Sequence, residues 1–268
     1  MASSPEPSIL NQPMPQKPVA NPGQTPAKVS AVELSKKLQK CMLRLKGEYM
    51  GNEGQGVDYE KLRLSQQFKE YEELTSQLQN VNLTDLSENE KKAFFINLYN
   101  ALTIHAGHTF SLDDIEHGIL RGNKPHPSSM NPPFNPKDLR LKFVCTLDPR
   151  IHFALVCGAV SCPVINVYTA ENLDRALEDA TKNFCKQEVS MFTETDEIWL
   201  SKIFQWYMDD FGKTDLDVIK WTIPYLELNI QERAWTLLAK LQSYGTVDVK
   251  YNEYDWRLNR KGVNPLIL

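Results

Sequence analysis

Apolar residues at helical spacing recur through most of the chain from residue 30 onward. Leu34, Leu38, Cys41 and Leu45 share one face behind Ser30 and Glu33, which stand at capping-box spacing, so a helix is predicted to start near Ser30. Gly51 to Gly56 break the chain, and Asp58 caps a second helical region whose stripe is Phe68, Tyr71, Leu74 and Leu78. Ser87 and Glu90 form another capping box. Behind it, residues 91–105 are apolar nearly all round, the mark of a central, buried helix. Ser111 caps a further turn in which Leu112, Ile115 and Ile119 face inward. Later helices are expected from Thr169 (Leu173, Leu177, Ala180, Phe184), from Thr214 and Asp217 up to Pro224, and around Trp235, Leu238 and Leu241.

Alternation marks the strands. Leu139, Leu141 and Phe143 alternate with Arg140 and Lys142, residues 198–204 read as a strand, and Val247, Val249 and Tyr251 form a short one. The apolar run from Ile151 to Cys157 fits either a strand paired with residues 139–143 or the start of a buried helix, because periodicity does not separate the two. The fold class expected is α+β: a mainly α-helical single domain with a small β-sheet, over residues 30–268.

Two proline-rich segments stand outside this pattern. Residues 1–29 hold seven of the sixteen prolines and almost no bulky apolar residues, so a disordered tail is predicted. Gly122 to Asp138 carries five prolines, and a loop of that length reads as a lid, a binding loop or disorder.

Charge and composition narrow the function classes. A net charge of −4 with interspersed signs argues against nucleic acid as the main partner. Five cysteines without a tight repeated spacing read as reduced thiols in the cytoplasm. No signal peptide is expected, and no membrane span, since no apolar stretch approaches the roughly 20 residues a bilayer requires. No metal and no cofactor are expected. His105 with His108, and Cys157 with Cys162, lack the spacing of structural zinc ligands, and Gly158 has no glycine partners or following lysine for a phosphate loop.

The chemistry concentrates in Asp148 to Pro163, which packs His152, Cys157, Cys162, a turn dipeptide and a solid apolar run into sixteen residues. Cys162, between Ser161 and Pro163 in a turn, is the candidate nucleophile. His152 or His105 is its candidate base, with Asn97 to orient the ring, in the manner of Cys-His-Asn arrangements. Cys157 is expected to be buried, and on a strand its odd separation from His152 sets the two on opposite faces. Asn97 and Asn100 lie three apart on the apolar helix, so they form either a structural polar network or a pocket wall. His117, flanked by Asp113, Asp114 and Arg121 at helical spacing, together with Arg150 and Ser161, completes the set of candidate pocket residues. The two apolar segments, 97–105 and 148–163, are expected to meet so that their polar groups satisfy one another.

Five motifs in order resemble the family catalogued as domain of unknown function 547. They are Ala93 to Leu102, Leu112 to Asn123, Asp148 to Pro163, Leu200 to Phe204 with Trp206-Tyr207, and Tyr254 to Asn259. The resemblance covers about residues 58–259, and Phe95 stands where relatives often carry tryptophan. It implies a mostly α domain found in plants, animals, protists and bacteria, in plants beside leucine-zipper, DEP or glutaredoxin-like domains; neither a heptad run nor a Cys-x-x-Cys motif occurs here. The family carries no settled activity, so no residue role transfers from it. Two functions are therefore expected in competition. The first is a protein-interaction or regulatory module with a buried His/Asn/Cys pocket and an unknown protein partner, its surface built from the proline-rich loop, Trp199 and Trp206 if these are not core. The second is a thiol-dependent hydrolase or transferase.

Overall fold

The computed structural model describes residues 29–50, 56–102 and 111–258. Helix α1 (Ala31–Tyr49) starts where Ser30 Oγ accepts from the Glu33 amide, and it buries the predicted stripe. The second helical region divides into α2 (Tyr59–Leu64) and α3 (Gln66–Ser76), because Ser65 ends the first and accepts from the Phe68 amide to cap the next. Helix α4 (Glu88–Leu102) opens with a complete capping box, Glu90 N to Ser87 Oγ and Ser87 N to Glu90 Oε2. Residues 93–101 of α4 are all buried, so the helix is enclosed on every side, as its composition predicts.

Helix α4 divides the interior. One side packs on α1 with Leu34, Leu38, Met42 and Tyr71. The other faces Ile115, Ile119, Ile151, Leu155 and Leu177. A third core is aromatic: Phe153 lies 4.6 Å from Phe184 and 5.5 Å from Phe204, ring centre to ring centre. It gathers α5 (Leu173–Glu188), α6 (Lys202–Trp206), α7 (Met208–Phe211), α8 (Asp215–Thr222) and α9 (Leu228–Tyr244). The small sheet has β1 (Ser190–Phe192) antiparallel to β2 (Glu197–Ser201), and β2 parallel to β3 (Asp248–Asn252) with Leu200 opposite Tyr251. The mainly helical α+β class holds.

Four local expectations are corrected. Leu139–Phe143 is a 3-10 helix, not a strand, and Leu139 is exposed. Asp138 caps it through the Arg140 amide, and no neighbouring edge offers a ladder, so alternation over five residues lacked the partner that makes a strand. Pro149–Phe153 is likewise 3-10, capped by Asp148 on the Arg150 amide, and the chain then runs extended. The strand at 198 stops at Ser201, whose hydroxyl accepts from Ile203 N and starts α6. Helix α5 begins one turn after Thr169, which exchanges hydrogen bonds with the N-cap Asn172.

The proline-rich loop is anchored. Asn123 accepts from the Phe134 amide at 3.0 Å and donates to its carbonyl at 2.9 Å. Phe134 is buried against Gly118, where any Cβ would stand 2.4 Å from the ring. Trp199 and Trp206 are both half-buried. The predicted tail lies outside the described residues except for Val29, and so do His105 and His108.

Residues 154–168 have almost no regular structure and are buried at both ends, at 154–156 and at Tyr168, so the backbone polar groups there need partners. Helix α4 supplies them. Asn100 donates to the Ala154 carbonyl and accepts from the Val156 amide, both at 2.8 Å. Asn97 donates to the Tyr168 carbonyl at 2.7 Å and accepts from its amide at 3.0 Å. An Asn97→Leu substitution strands both backbone groups of Tyr168 in the interior. It is expected to cost about 1–3 kcal/mol per stranded group, read as a lowered urea midpoint. A midpoint equal to that of the unsubstituted protein contradicts the clamp.

Candidate functional site

A cavity of about 210 Å³ opens between the π-helical turn Asp114–Leu120, the extended segment after Phe153, and α6. Tyr99, Glu116, His117, His126, His152 and Cys157 line it, with Trp206, Tyr207, Tyr254 and Trp256 around them. Beneath it lies Asp210, whose carboxylate is wholly buried. Arg121 reaches Asp210 with Nε at 2.6 Å and a second nitrogen at 3.1 Å, Lys124 Nζ at 2.8 Å, and His152 Nε2 at 2.8 Å. Burial alone would raise the Asp210 pKa. The hydrogen bonds from His152, Arg121 and Lys124 outweigh it and hold the carboxyl well below the usual carboxylate range.

These partners fix the histidine tautomers. Arginine only donates, so the 2.7 Å contact of Arg121 with His117 Nδ1 makes that nitrogen an acceptor and leaves the proton on Nε2. Burial, opposed by Glu116 and helped by Arg121 and His126, draws the His117 pKa down to about 4. His152 turns Nε2 to an ionised carboxylate, so Nε2 carries a hydrogen, and in the neutral ring the lone pair lies on Nδ1. Among the described residues no hydrogen bond engages Nδ1. Tyr207 stacks on the His152 ring at 4.0 Å and holds its plane. Glu116 in turn accepts from the hydroxyls of Tyr207 at 2.7 Å and Tyr99 at 3.0 Å.

The sulfur side is a couple. Gly158, at φ 92°, takes a left-handed conformation that favours glycine and reverses the chain between the cysteines. Cys157 Sγ and Cys162 Sγ stand 3.0 Å apart, with the Tyr254 hydroxyl 3.8 and 3.6 Å away. Tyr254 is brought there by the closing segment: Ala159 bridges Leu258, Val160 N donates to Arg257 O, and Ser161 Oγ accepts from Asp255 N. The hydrogen bond from Cys162, with further ones from the Ala159 amide and Tyr254, outweighs burial and draws Cys157 down to about 6. The same bond, with burial, pushes Cys162 up.

The sequence candidates therefore separate. His152 and His117 line the cavity together. Cys157, expected to be buried and opposite His152, is exposed and shares the cavity with it, because the run is not a strand and side-chain alternation does not apply. Cys162 faces a different cavity. Asn97 spends both ends of its amide on Tyr168, so the expected Asn97–histidine pairing is absent, and Asn100 clamps Ala154 and Val156. Asp114 caps with Ser111 and pairs with Arg140 at 2.9 Å. Arg150 ties Asp148 to Asp174 on α5, and Ser161 holds Asp255. Asp210, Lys124, Glu116, Tyr99 and Tyr207 had no marking spacing. The signal nearest to them was the pair Asp209-Asp210 closing an aromatic-rich motif.

The profile of the family described as "Protein of unknown function, DUF547" matches residues 83–107 and 106–185. That match takes in α4, the π-helical turn and the thiol segment, and it stops before Asp210 and Tyr254. Neither a curated protein nor a solved structure matches the chain. Among the described residues, no helix is long and apolar enough to cross a membrane.

Two outcomes are expected of the Asp210 network. Asp210→Asn leaves Arg121 and Lys124 without their counter-charge and is expected to destabilise by about 3 kcal/mol in urea unfolding; an unchanged midpoint overturns the hub. His117 shifts from 6.5 to about 4 on folding. Between those values the unfolded chain binds a proton that the folded one refuses, so stability falls as pH falls through that window. His117→Gln should flatten that part of the curve of urea midpoint against pH, and an equally steep variant curve contradicts the shift.

Proposed function

We propose that the domain is a thiol-dependent acyl hydrolase or transferase. Its nucleophile is Cys157, its base is His152, and its orienting carboxylate is Asp210. The observation that carries this reading is a single cavity lined by a thiol held as thiolate and by a histidine whose far nitrogen is bound to a buried carboxylate. The thiolate attacks an acyl carbon and forms a thioester. The proton that Cys157 gives up is taken by His152 Nδ1, the imidazolium charge is stabilised by Asp210, and that proton then departs with the leaving group. Water, deprotonated by His152 Nδ1, then breaks the thioester and returns the thiol. Cys162 takes a supporting part: its S–H donates to the thiolate. All five cysteines are free, which fits a reducing compartment such as the cytoplasm.

The interaction-module reading keeps one support of its own. Met130 on the proline-rich loop and Trp256 at the cavity mouth are 95% and 65% exposed, and large apolar groups so placed suit a partner surface. The two readings part at the thiol. A binding surface has no need of a thiolate at neutral pH.

The test is a pH profile of Cys157 alkylation with mass mapping, followed by acylation with p-nitrophenyl acetate. Alkylation is expected to rise through about pH 6, where Cys157 titrates. An acetyl adduct should form on Cys157, vanish in Cys157→Ser, and form at least about tenfold more slowly in His152→Gln. A Cys157 rate no faster than that of a free model thiol, or an adduct indifferent to His152, overturns the enzyme reading.

A further inference from the structure

A second cavity, about 190 Å³, lies against residues 156–165 and takes Cys162 into its wall. Met50, Val57, Val156, Ala159 and Ile165 make it largely apolar. Two polar groups line it, Lys46 from α1 and Tyr59 from α2. The Lys46 residue is only 9% exposed, and among the described residues no carboxylate lies within ion-pair reach of its ammonium. Among the described residues the Tyr59 hydroxyl likewise has no hydrogen-bond partner.

A buried lysine is almost always paired, because an ammonium loses its hydration on burial and needs a compensating charge. Burial lowers the Lys46 pKa, and the sulfurs of Cys162 and Cys157 oppose that only in part. Cys162 is the protonated member of the couple, so the sulfur on the Lys46 side does not supply the missing anion.

We propose that this cavity binds a small carboxylate with a short apolar body, its carboxylate on Lys46 and Tyr59 and its hydrocarbon against the valines and Ile165. Charge complementarity names the head group: two donors line the cavity and, among the described residues, no acid does. The wall names the body. The volume sets the length, since a cavity of about 150 Å³ accommodates benzene, and one of 190 Å³ takes a chain of about six carbons. This site shares Cys162 with the thiol chemistry proposed above but none of the groups given a catalytic role there.

Isothermal titration of the full chain with hexanoate, hexanol and hexylamine tests it. Hexanoate is expected to bind, hexanol about tenfold or more weakly, and hexylamine not at all. Lys46→Met should bring hexanoate down to the affinity of hexanol, and Tyr59→Phe should weaken it severalfold. Cys157→Ser should bind hexanoate as the unsubstituted protein does, which keeps this result separate from the enzyme reading. Equal affinity for hexanoate and hexanol in the unsubstituted protein overturns the proposal, and that comparison stands even where Lys46→Met fails to fold. Absent hexanoate binding, together with a raised Cys157 pKa in Lys46→Met, also overturns it and makes Lys46 the counter-ion of the thiolate.

Discussion

The constraint on which the structure depends is an irregular stretch of backbone in the interior. From Ala154 to Tyr168 the chain has hardly a ladder to join and is buried at both ends, at residues 154–156 and at Tyr168, where each unpaired peptide group would cost as much as a lost hydrogen bond. Two asparagine amides on α4 act in place of a neighbouring strand, each holding one carbonyl and one amide. Asparagine is a poor helix former, and its presence twice in a wholly buried helix is explained by this demand. Because the clamps hold residues 154–156 and 168, the loop between them is free to reverse at Gly158 and present sulfur rather than hydrogen-bonded edge.

A second constraint is electrostatic. Asp210 carries a full charge in the interior and survives there because three cationic or hydrogen-donating groups converge on it. Those groups come from the π-helical turn, the segment after it and the 3-10 turn at Pro149–Phe153, so one carboxylate sets the relative position of three pieces of chain. It also determines what the cavity can do. Burial, helped by Arg121, holds the His117 pKa down, while Asp210 takes the Nε2 hydrogen of His152, so two histidines in one cavity differ in their surroundings.

The thiol couple stands at the boundary of both cavities. Cys157 lines the one with the histidines and Cys162 the one with Lys46, and their sulfurs touch. The hydrogen bond between them makes the two sulfurs unequal, drawing the Cys157 pKa down and pushing that of Cys162 up. Tyr254 lies against both sulfurs, and it reaches the couple because the closing segment straps across the turn at residues 159–161.

What the sequence determined by itself was local. The capping pairs at Ser30, Ser87, Ser111 and Thr214 and the stripes behind them marked the helices, because capping and amphipathic faces act over one or two turns. The asparagines on an apolar helix announced a buried polar arrangement, and the sulfur- and histidine-bearing run announced residues that line the cavity. Tertiary structure decided the rest. Leu139 to Phe143 alternates as a strand does, yet a strand needs a neighbour, and none was at hand. Cys157 and His152 line one cavity because a 3-10 turn and then irregular chain, rather than one regular element, separates them. Asp210 pairs with residues 58 and 89 positions away, and no spacing rule connects them, since charges pair through space and only the packed chain sets that distance.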